Sequence, residues 1–385
     1  MKIVIDNKIP FIRGVFEPYA EVVYLPGKET TSDVVKDADA IVTRTRTLCN
    51  EALLKGSAVK AIATATIGYD HIDTAWVESA GIKWANAPGC NSWSVKQYIA
   101  SALVSLARAH GFDLQGMTLG VVGVGNVGSK VAEVGRILGC RVLLCDPPRA
   151  RREGSDGFVD IDTITSEADI ITLHVPLSRD GEDATFHMFD ASRLSALRPS
   201  QILINSSRGP VVDNSALKEL LKAGGLKAAV LDVWEGEPDL DPELVSLLDY
   251  STPHIAGYSA DGKANGTTAS VRFIARELGI AELLDWKVTG IPAPTFGKSD
   301  GRLEFLLDAS GRTFQDVVSE AILHTYDIAV DTAELRSHLG DFEKLRGDYP
   351  IRREPTSYSI YLRGSSGRVA DALKELGFSI VLVDR

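Results

Sequence analysis

The chain has 385 residues, 44% hydrophobic and 24% charged, which is typical of a globular protein with two or three domains. Its net charge of −11 argues against nucleic acid or an anionic membrane as partner. The four cysteines lack C-x-x-C spacing, so no metal site or disulfide framework is predicted. The N-terminus does not resemble a signal peptide and no run is long enough to span a membrane, so we expect a cytoplasmic protein.

The first part of the chain alternates short apolar runs with helical stretches. Strands separated by helices of this length form a parallel sheet covered on both faces. A helix predicted over 263–280 follows the second series described below and plausibly leads back to the first. Residues 1–92 and 258–286 are therefore predicted to form a flavodoxin-like substrate-binding domain. Its strand candidates are KIVID, AEVVYLP, ADAIVTRT, VKAIATATIG and GIKWANAPG.

A second series of the same kind follows a helix predicted at about 93–111, and predicts a Rossmann-like domain over 93–257. A segment rich in proline and glycine then leads to residues 287–385, here called the C-terminal module, which ends in strand, helix and strand. The predicted fold class is α/β, with two parallel-sheet lobes, a cleft between them and a C-terminal α/β module. The strand candidates of the second series are MTLGVVGVG, CRVLLCD, ADIITLHVP, QILINSS, KAAVLDVW and DYSTPHIAG.

A glycine-rich segment opens the second series. GVVGVGNVG places Gly123, Gly125 and Gly128 in G-x-G-x-x-G spacing, after an apolar strand and before an apolar-periodic helix. The triplet alone is not specific. In this context the first glycine permits a tight turn, the second lets backbone approach a pyrophosphate, and the third lets the helix pack on the strand. The segment therefore predicts a dinucleotide site.

Asp146 closes the next predicted strand. A carboxylate there can accept hydrogen bonds from the adenosine ribose and repels a 2′-phosphate, which favours NAD over NADP. Arg149, Arg151 and Arg152 follow closely and weaken that preference. The alternative is a glycine turn followed by an exposed aspartate.

Three loops after later strands carry candidate catalytic residues. In INSSRGPVVD, Arg208 could hold a carboxylate through two parallel hydrogen bonds, or could be an ordinary surface arginine. Asp232 and Glu237 lie in LDVWEGEP, and His254 lies in STPHIAGYS. Alone, a loop histidine is more often without catalytic consequence. A glutamate on the preceding loop could orient the imidazole and stabilise its charged form.

The order of motifs in this chain resembles that of the D-isomer-specific 2-hydroxyacid dehydrogenases over about residues 1–290. The motifs are GVVGVGNVG with Asp146, HVPL, INSSRGPVVD, LDVWEGEP and TPHIAGYS. The resemblance implies that Arg208 binds the substrate carboxylate and Glu237 supports His254. His254 would exchange the hydroxyl proton while hydride passes to NAD. The implied NAD-binding residues are Gly123, Gly125, Asn126, Val127, Gly128, Asp146, Val175, Ser206, Ser207, Arg208, Asp232 and Gly257, where Val175 replaces a threonine often found.

Further motifs extend the resemblance to one branch of the family over nearly the whole chain: IDNKIPF, TIGYDHID, APGCN, CDPPR, HVPLSRDGEDATFHM, PHIAGYSADGKANGT and YPIRREP. That branch implies oxidation of 4-phospho-D-erythronate to 3-hydroxy-2-oxo-4-phosphooxybutanoate with NAD, in pyridoxal 5′-phosphate (vitamin B6) biosynthesis. It also implies a homodimer built by the C-terminal module. The candidate substrate contacts are Thr45, where a serine is expected, Thr66 and Tyr258. The candidate phosphate ligands are Arg44, Arg46, or Arg352 and Arg353 reaching across a dimer.

Two alternatives stay open. One is a dehydrogenase of 3-phosphoglycerate or of another D-2-hydroxy acid, because that substrate also combines a 2-hydroxy acid with a phosphate. The other is an NAD-sensing binding protein on the same scaffold, because fold does not dictate function. Turnover of any 2-hydroxy acid by the pure protein would separate the two classes.

Overall fold

The computed structural model describes residues 1–297, 300–364 and 367–383, which form α/β units with parallel sheets and confirm the predicted α/β class with parallel sheets. The chain divides into two compact units. The first contains Met1–Asn91 and Ser259–Pro292, and the second contains Ser92–Tyr258 and the chain from Ala293 onward. The C-terminal module thus belongs to the same compact unit as the predicted nucleotide domain.

The first unit contains a five-stranded parallel sheet in the order β2-β1-β3-β4-β5 among the described residues. Strands and helices are numbered in chain order. The strands are β1 (Lys2–Asp6), β2 (Glu21–Leu25), β3 (Ala40–Thr43), β4 (Ala61–Thr64) and β5 (Lys83–Ala85), all in predicted runs. The helices are α1 (Ser32–Val35), α2 (Glu51–Leu54), α3 (Thr74–Ser79) and α11 (Ala260–Leu278).

Helix α11 packs on the first sheet and belongs to the same compact unit. A Cβ on Gly266 would lie 2.5 Å from the Ala65 carbonyl oxygen, so the helix meets the segment after β4 without a side chain between them. The helix begins earlier than predicted because the Ser259 hydroxyl accepts a hydrogen bond from the Gly262 N–H at 2.7 Å. The chain therefore enters the first unit directly after Tyr258.

The second unit contains a six-stranded parallel sheet in the order β11-β10-β9-β8-β6-β7 among the described residues. Strands β6, β8, β9 and β10 are buried along their whole length and are mostly apolar, as expected for a parallel sheet covered on both faces. The strands are β6 (Thr118–Val122), β7 (Arg141–Cys145), β8 (Ile170–Leu173), β9 (Ile202–Asn205), β10 (Ala228–Leu231) and β11 (Tyr250–Ser251). The helices are α4 (Ser92–His110), α5 (Asn126–Ile137), α6 (Pro147–Glu153), α7 (Ile161–Glu167), α8 (Ala191–Ser195), α9 (Asn214–Lys222) and α10 (Pro242–Leu247).

The C-terminal module adds a parallel sheet in the order β12-β13-β14. Tyr98 and Leu103 of α4 share one apolar core with Leu307, Tyr326 and Ile360 of the module. This common core explains why the module does not separate from the nucleotide domain. Its elements are β12 (Glu304–Asp308), β13 (Ser359–Arg363), β14 (Ser379–Val383), α12 (Phe314–Thr325), α13 (Ile328–Ser337), α14 (Phe342–Gly347) and α15 (Gly367–Glu375).

Short 3-10 turns complete the described secondary structure: Gly27–Glu29, Gly209–Val211, Ala281–Leu283, Leu339–Asp341 and Pro355–Ser357. Within the described ranges, no helix is both long and apolar enough to cross a membrane. The same ranges contain no group of three or more His, Cys, Asp or Glu side chains arranged to hold a metal ion.

Candidate active site

The loop between β6 and α5 has the shape that a dinucleotide requires. Gly123 has φ +84°, and a Cβ there would lie 2.7 Å from the backbone of His174. A Cβ on Gly128 would lie 1.9 Å from the Gly123 carbonyl oxygen. A Cβ on Gly125, in contrast, would meet nothing within 4 Å. Side chains are therefore excluded where the loop packs on the sheet, while the N-terminus of α5 stays open to a phosphate.

A groove of about 500 Å³ adjoins this loop and is lined in part by Gly125, Asn126 and Asp146. Asp146 Oδ2 accepts a hydrogen bond from the Val124 N–H at 2.8 Å, and Oδ1 accepts one from the Arg149 N–H at 2.9 Å. The carboxylate thus ties the glycine loop to the start of α6. Each oxygen keeps acceptor capacity, which suits ribose hydroxyls in the groove.

Arg149 also lines the groove, but its guanidinium has partners within the protein. Nη1 donates to the Val124 carbonyl oxygen at 2.7 Å, and Nε donates to Glu153 at 2.7 Å. The ion pair reduces the attraction of this arginine for a 2′-phosphate. The groove therefore suits NAD better than its phosphorylated form.

The other predicted cofactor residues lie after neighbouring strands. Val175 follows β8, and its Cγ1 would be 2.9 Å from a Cβ on Gly123. Ser206 follows β9, and its buried hydroxyl has no partner among the described residues. Ser207 donates to Asn205 Oδ1 at 2.8 Å. An unpartnered buried hydroxyl at this edge of the sheet fits a ligand that supplies the missing hydrogen bond.

Arg208 is held beside the loop that carries Glu237. A Cβ on Gly209 would lie 2.0 Å from the Trp234 carbonyl oxygen, so these two backbone segments touch. Asn205 Nδ2 donates to the Arg208 carbonyl oxygen at 2.9 Å. These contacts hold the backbone of Arg208 in place after β9, and its side chain is half-buried.

His254 and Glu237 are in direct contact. His254 Nδ1 lies 2.9 Å from Glu237 Oε2 and 3.2 Å from Oε1, and Oε1 also accepts from the Trp234 N–H at 3.0 Å. Burial raises the pKa of Glu237, but the hydrogen bond and charge of His254, the Trp234 N–H and the charge of Arg346 together outweigh this, so the pKa lies below its ordinary value. Glu237 is therefore a carboxylate at neutral pH, and the opposite ring nitrogen, Nε2, remains for a substrate.

The segment 252–258, here called the histidine loop, is anchored through its backbone N–H groups by Asp232. This carboxylate is 1% exposed and accepts from the Ile255 N–H at 2.7 Å and the Ala256 N–H at 2.9 Å. It also accepts from the Thr252 hydroxyl at 2.6 Å. Burial raises its pKa, while His254 and these hydrogen bonds act in the opposite direction. Within the chain, Asp232 therefore contacts the loop that carries His254. Its contact with NAD stays a prediction.

Arg352 of the C-terminal module anchors the same loop through its carbonyl oxygens. It is fully buried, and Nη2 donates to the Ile255 carbonyl at 3.1 Å and the Ala256 carbonyl at 2.7 Å. Its guanidinium lies 4.4 Å from the centre of the Tyr326 ring. The hypothesis that Arg352 binds phosphate across a dimer is wrong, because the group is enclosed in its own chain. Arg353 is also buried, at 8% exposure, and donates to Ser357.

The predicted substrate residues fall in both units. Thr45 is exposed after β3, and the Thr66 hydroxyl donates to the Gly68 carbonyl at 2.9 Å. Tyr258 ends the histidine loop, and its hydroxyl accepts a hydrogen bond from Arg346 Nη2 at 3.1 Å. Arg346, on α14, was missed by the sequence analysis because no strand-end motif marks it. Gly257 lies next to Tyr258, half-buried.

A family model described as "D-isomer specific 2-hydroxyacid dehydrogenase, NAD binding domain" matches residues 92–256. Erythronate-4-phosphate dehydrogenase of Bacteroides fragilis is 50% identical over 94% of this chain and 99% of its own. The chain belongs to the D-isomer-specific 2-hydroxyacid dehydrogenase family. Erythronate-4-phosphate dehydrogenase of Klebsiella pneumoniae is 43% identical over 99% of both chains.

Solved structures of the family share the fold. D-lactate dehydrogenase from Aquifex aeolicus, complexed with NAD and lactic acid, is 25% identical with a TM-score of 0.62, covering 74% of this chain and 98% of its own. The TT0316 protein from Thermus thermophilus is 26% identical with a TM-score of 0.64, covering 72% and 97%. A second family model, described only as a domain of unknown function, matches residues 306–377 in the C-terminal module.

Proposed function

We propose that this dehydrogenase oxidises the C2 hydroxyl of 4-phospho-D-erythronate with NAD to give 3-hydroxy-2-oxo-4-phosphooxybutanoate, a step of pyridoxal 5′-phosphate biosynthesis. The contact of 2.9 Å between His254 and Glu237, on loops at the same end of a dinucleotide-binding sheet, carries the proposal. The substrate class rests on relatives of this name at 42–50% identity over nearly the full chain.

The catalytic roles follow from the chemistry of three side chains. Arg208 binds the substrate carboxylate and keeps C2 in place. His254 Nε2 accepts the proton of the C2 hydroxyl, and the Glu237 carboxylate stabilises the resulting imidazolium. Bound NAD supplies the acceptor for the hydride that leaves C2. Two electrons thus leave the substrate as hydride, and one proton leaves it through His254.

The cofactor roles divide by location. The loop of Gly123, Gly125 and Gly128, with Asn126 and Val127 at the start of α5, receives the pyrophosphate, and Asp146 receives the adenosine ribose. Val175, Ser206, Ser207 and Gly257 complete the site at the strand ends. Asp232 remains a proposed NAD contact and also holds the histidine loop in position.

Thr45, Thr66 and Tyr258 are proposed substrate contacts, the first two from the first unit. We also propose that the enzyme is a homodimer and works in the cytoplasm, and both statements stay predictions from family resemblance. No nucleic acid or membrane is expected as a partner.

A substrate panel tests the function. Purified protein with NAD would be assayed by nicotinamide absorbance on 4-phospho-D-erythronate, erythronate, 3-phosphoglycerate and D-lactate. We expect the highest kcat/KM for 4-phospho-D-erythronate. Preference for 3-phosphoglycerate would move the enzyme to the alternative substrate, and NAD binding without turnover of any acid would indicate a sensor.

The variant His254→Ala tests the mechanism in the same assay. Loss of the proton acceptor is expected to lower kcat at least about a hundredfold. NAD affinity, measured by fluorescence titration, should change little, because the glycine loop is untouched. Normal turnover by His254→Ala would overturn the assignment of the proton acceptor.

A further inference from the structure

Helix α14 of the C-terminal module brings a cation to the histidine loop. Arg346 Nη2 donates to the Tyr258 hydroxyl at 3.1 Å, and the guanidinium lies 5.7 Å from the centre of the Tyr258 ring. It also lies 5.6 Å from the centre of the Phe342 ring. The aromatic rings orient the guanidinium, and Tyr258 lies four residues after His254.

Arg346 has no ion-pair partner within 4.0 Å in the part of the chain that the structure describes. Its Nε is buried and makes no hydrogen bond there. A half-buried guanidinium whose N–H lacks an acceptor lowers the stability of the protein unless a ligand supplies the missing hydrogen bond. The Nε of Arg352 likewise makes no hydrogen bond, but Nη2 of Arg352 donates to two backbone carbonyls of its own chain, whereas Nη2 of Arg346 donates to the hydroxyl of a proposed substrate contact.

The nearest catalytic carboxylate does not neutralise this cation. Glu237 is occupied by His254 and the Trp234 N–H. Burial raises the pKa of Glu237, His254 lowers it most, and the charge of Arg346 lowers it further. Arg346 is therefore close enough to affect the His254–Glu237 pair electrostatically without being bound to it. That location suits a group of the substrate other than the one held by Arg208.

We propose, resting on the proposed function, that Arg346 binds the phosphate of the substrate and that Tyr258 holds the guanidinium in position. The substrate is anionic at both ends, and Arg208 accounts for its carboxylate alone. A planar guanidinium donates paired hydrogen bonds to phosphate, which a lysine does not match. The C-terminal module thereby determines specificity for a phosphorylated 2-hydroxy acid.

The test compares Arg346→Met and Arg346→Lys with Lys344→Met, a matched control at an exposed position of the same helix. Each is assayed on 4-phospho-D-erythronate and on erythronate. Arg346→Met is expected to lower kcat/KM about a hundredfold for the phosphorylated acid, mainly through KM, and at least about tenfold less than that for erythronate. Arg346→Lys should recover part of the loss, and Lys344→Met should behave as wild type.

Equal losses on both acids would overturn the proposal and make Arg346 a positioning residue for Tyr258. An unchanged preference for the phosphorylated acid would also overturn it.

Failure of the wild type to oxidise 4-phospho-D-erythronate would instead overturn the proposed function. The inference is then decided by the Tm shift that inorganic phosphate causes in the NAD-saturated protein. A shift in wild type that Arg346→Met lacks supports phosphate binding, whereas equal shifts or no shift in wild type would contradict it.

Discussion

His254 occupies an uncommon backbone conformation, with φ +56°, in the left-handed region that favours glycine. Its backbone N–H donates to the Thr252 carbonyl at 3.0 Å, and Asp232 fixes the two residues that follow. These hydrogen bonds offset a strain of about 1 kcal/mol. The conformation is thus maintained by neighbouring residues and directs the imidazole to Glu237.

The sequence was sufficient to select Arg208, Glu237 and His254, because each follows an apolar strand at the end where parallel sheets bind ligands. Their roles stay predictions, but the predicted contact between Glu237 and His254 is present. Arg346 could not be selected in this way. Its contact with Tyr258 joins residues 88 positions apart, and it depends on how α14 packs.

Glu237→Gln tests the carboxylate at the residue scale. Glutamine keeps the size and an acceptor oxygen but loses the charge, so kcat should fall about tenfold to a hundredfold. Because the pKa of Glu237 is lowered, its carboxylate stays ionised and stabilises the imidazolium until the pH falls through a value below 4.5. The two kcat values are therefore compared at about pH 8, well above that value, where Glu237 is a carboxylate.

The control for this comparison is Glu219→Gln, at an exposed position of α9, which should retain wild-type kcat. Wild-type kcat in Glu237→Gln would show that the charge of Glu237 is dispensable for the reaction.

At the scale of elements, the histidine loop is held from two sides by different parts of the chain. Asp232, after β10, binds N–H groups of the loop, and Arg352, before β13, binds its carbonyl oxygens. Asp331 of α13 is also buried and accepts from the hydroxyls of Tyr326 and Tyr349. Burial raises the pKa of Asp331 to about 6, although Arg352 and the tyrosines act against this shift.

The central strands were predictable because a strand buried on both faces is a continuous apolar run. Strand β12 was not identified, because Glu304 and Asp308 at its ends are exposed and Leu306 between them is also exposed. Its position follows from pairing with β13. A pattern based on burial cannot reveal a strand that is largely uncovered.

Arg352→Met tests the anchor of the histidine loop. The substitution leaves the Ile255 and Ala256 carbonyls without their charged donor, in a fully buried site. We expect the free energy of unfolding to fall by about 2–3 kcal/mol. Urea denaturation followed by circular dichroism measures this change, with the exposed Arg302→Met as control. A loss below about 1 kcal/mol would show that the anchor is dispensable for stability.

At the scale of the whole molecule, the C-terminal module has an outer sheet surface with exposed apolar side chains. Leu306, Tyr361 and Val381 are in register across β12, β13 and β14. Leu306 is 54% exposed and Val381 is 44% exposed. The proline- and glycine-rich segment precedes this module, and the module lies in the same compact unit as the predicted nucleotide domain. The common core with α4 was not predictable, because it depends on packing between distant segments.

The double variant Leu306→Glu/Val381→Glu tests the predicted homodimer. The substitutions place negative charges on the apolar surface of both subunits, and repulsion between them should prevent association. The molar mass from light scattering should then fall by half at micromolar concentration. Leu284→Glu, exposed in the first unit, is the control and should leave the mass unchanged. A dimeric double variant would place the subunit contact elsewhere.

The two-sided anchoring of the histidine loop limits how this enzyme can be recombined. A tail exchanged for that of another dehydrogenase would remove Arg352 from the Ile255 and Ala256 carbonyls, while Asp232 would keep their N–H groups. A chimera would therefore contain all the proposed catalytic side chains, but its histidine loop would keep the hydrogen bonds to Asp232 and lose those from Arg352. A functional chimera should therefore take the C-terminal module and the histidine loop from the same parent enzyme.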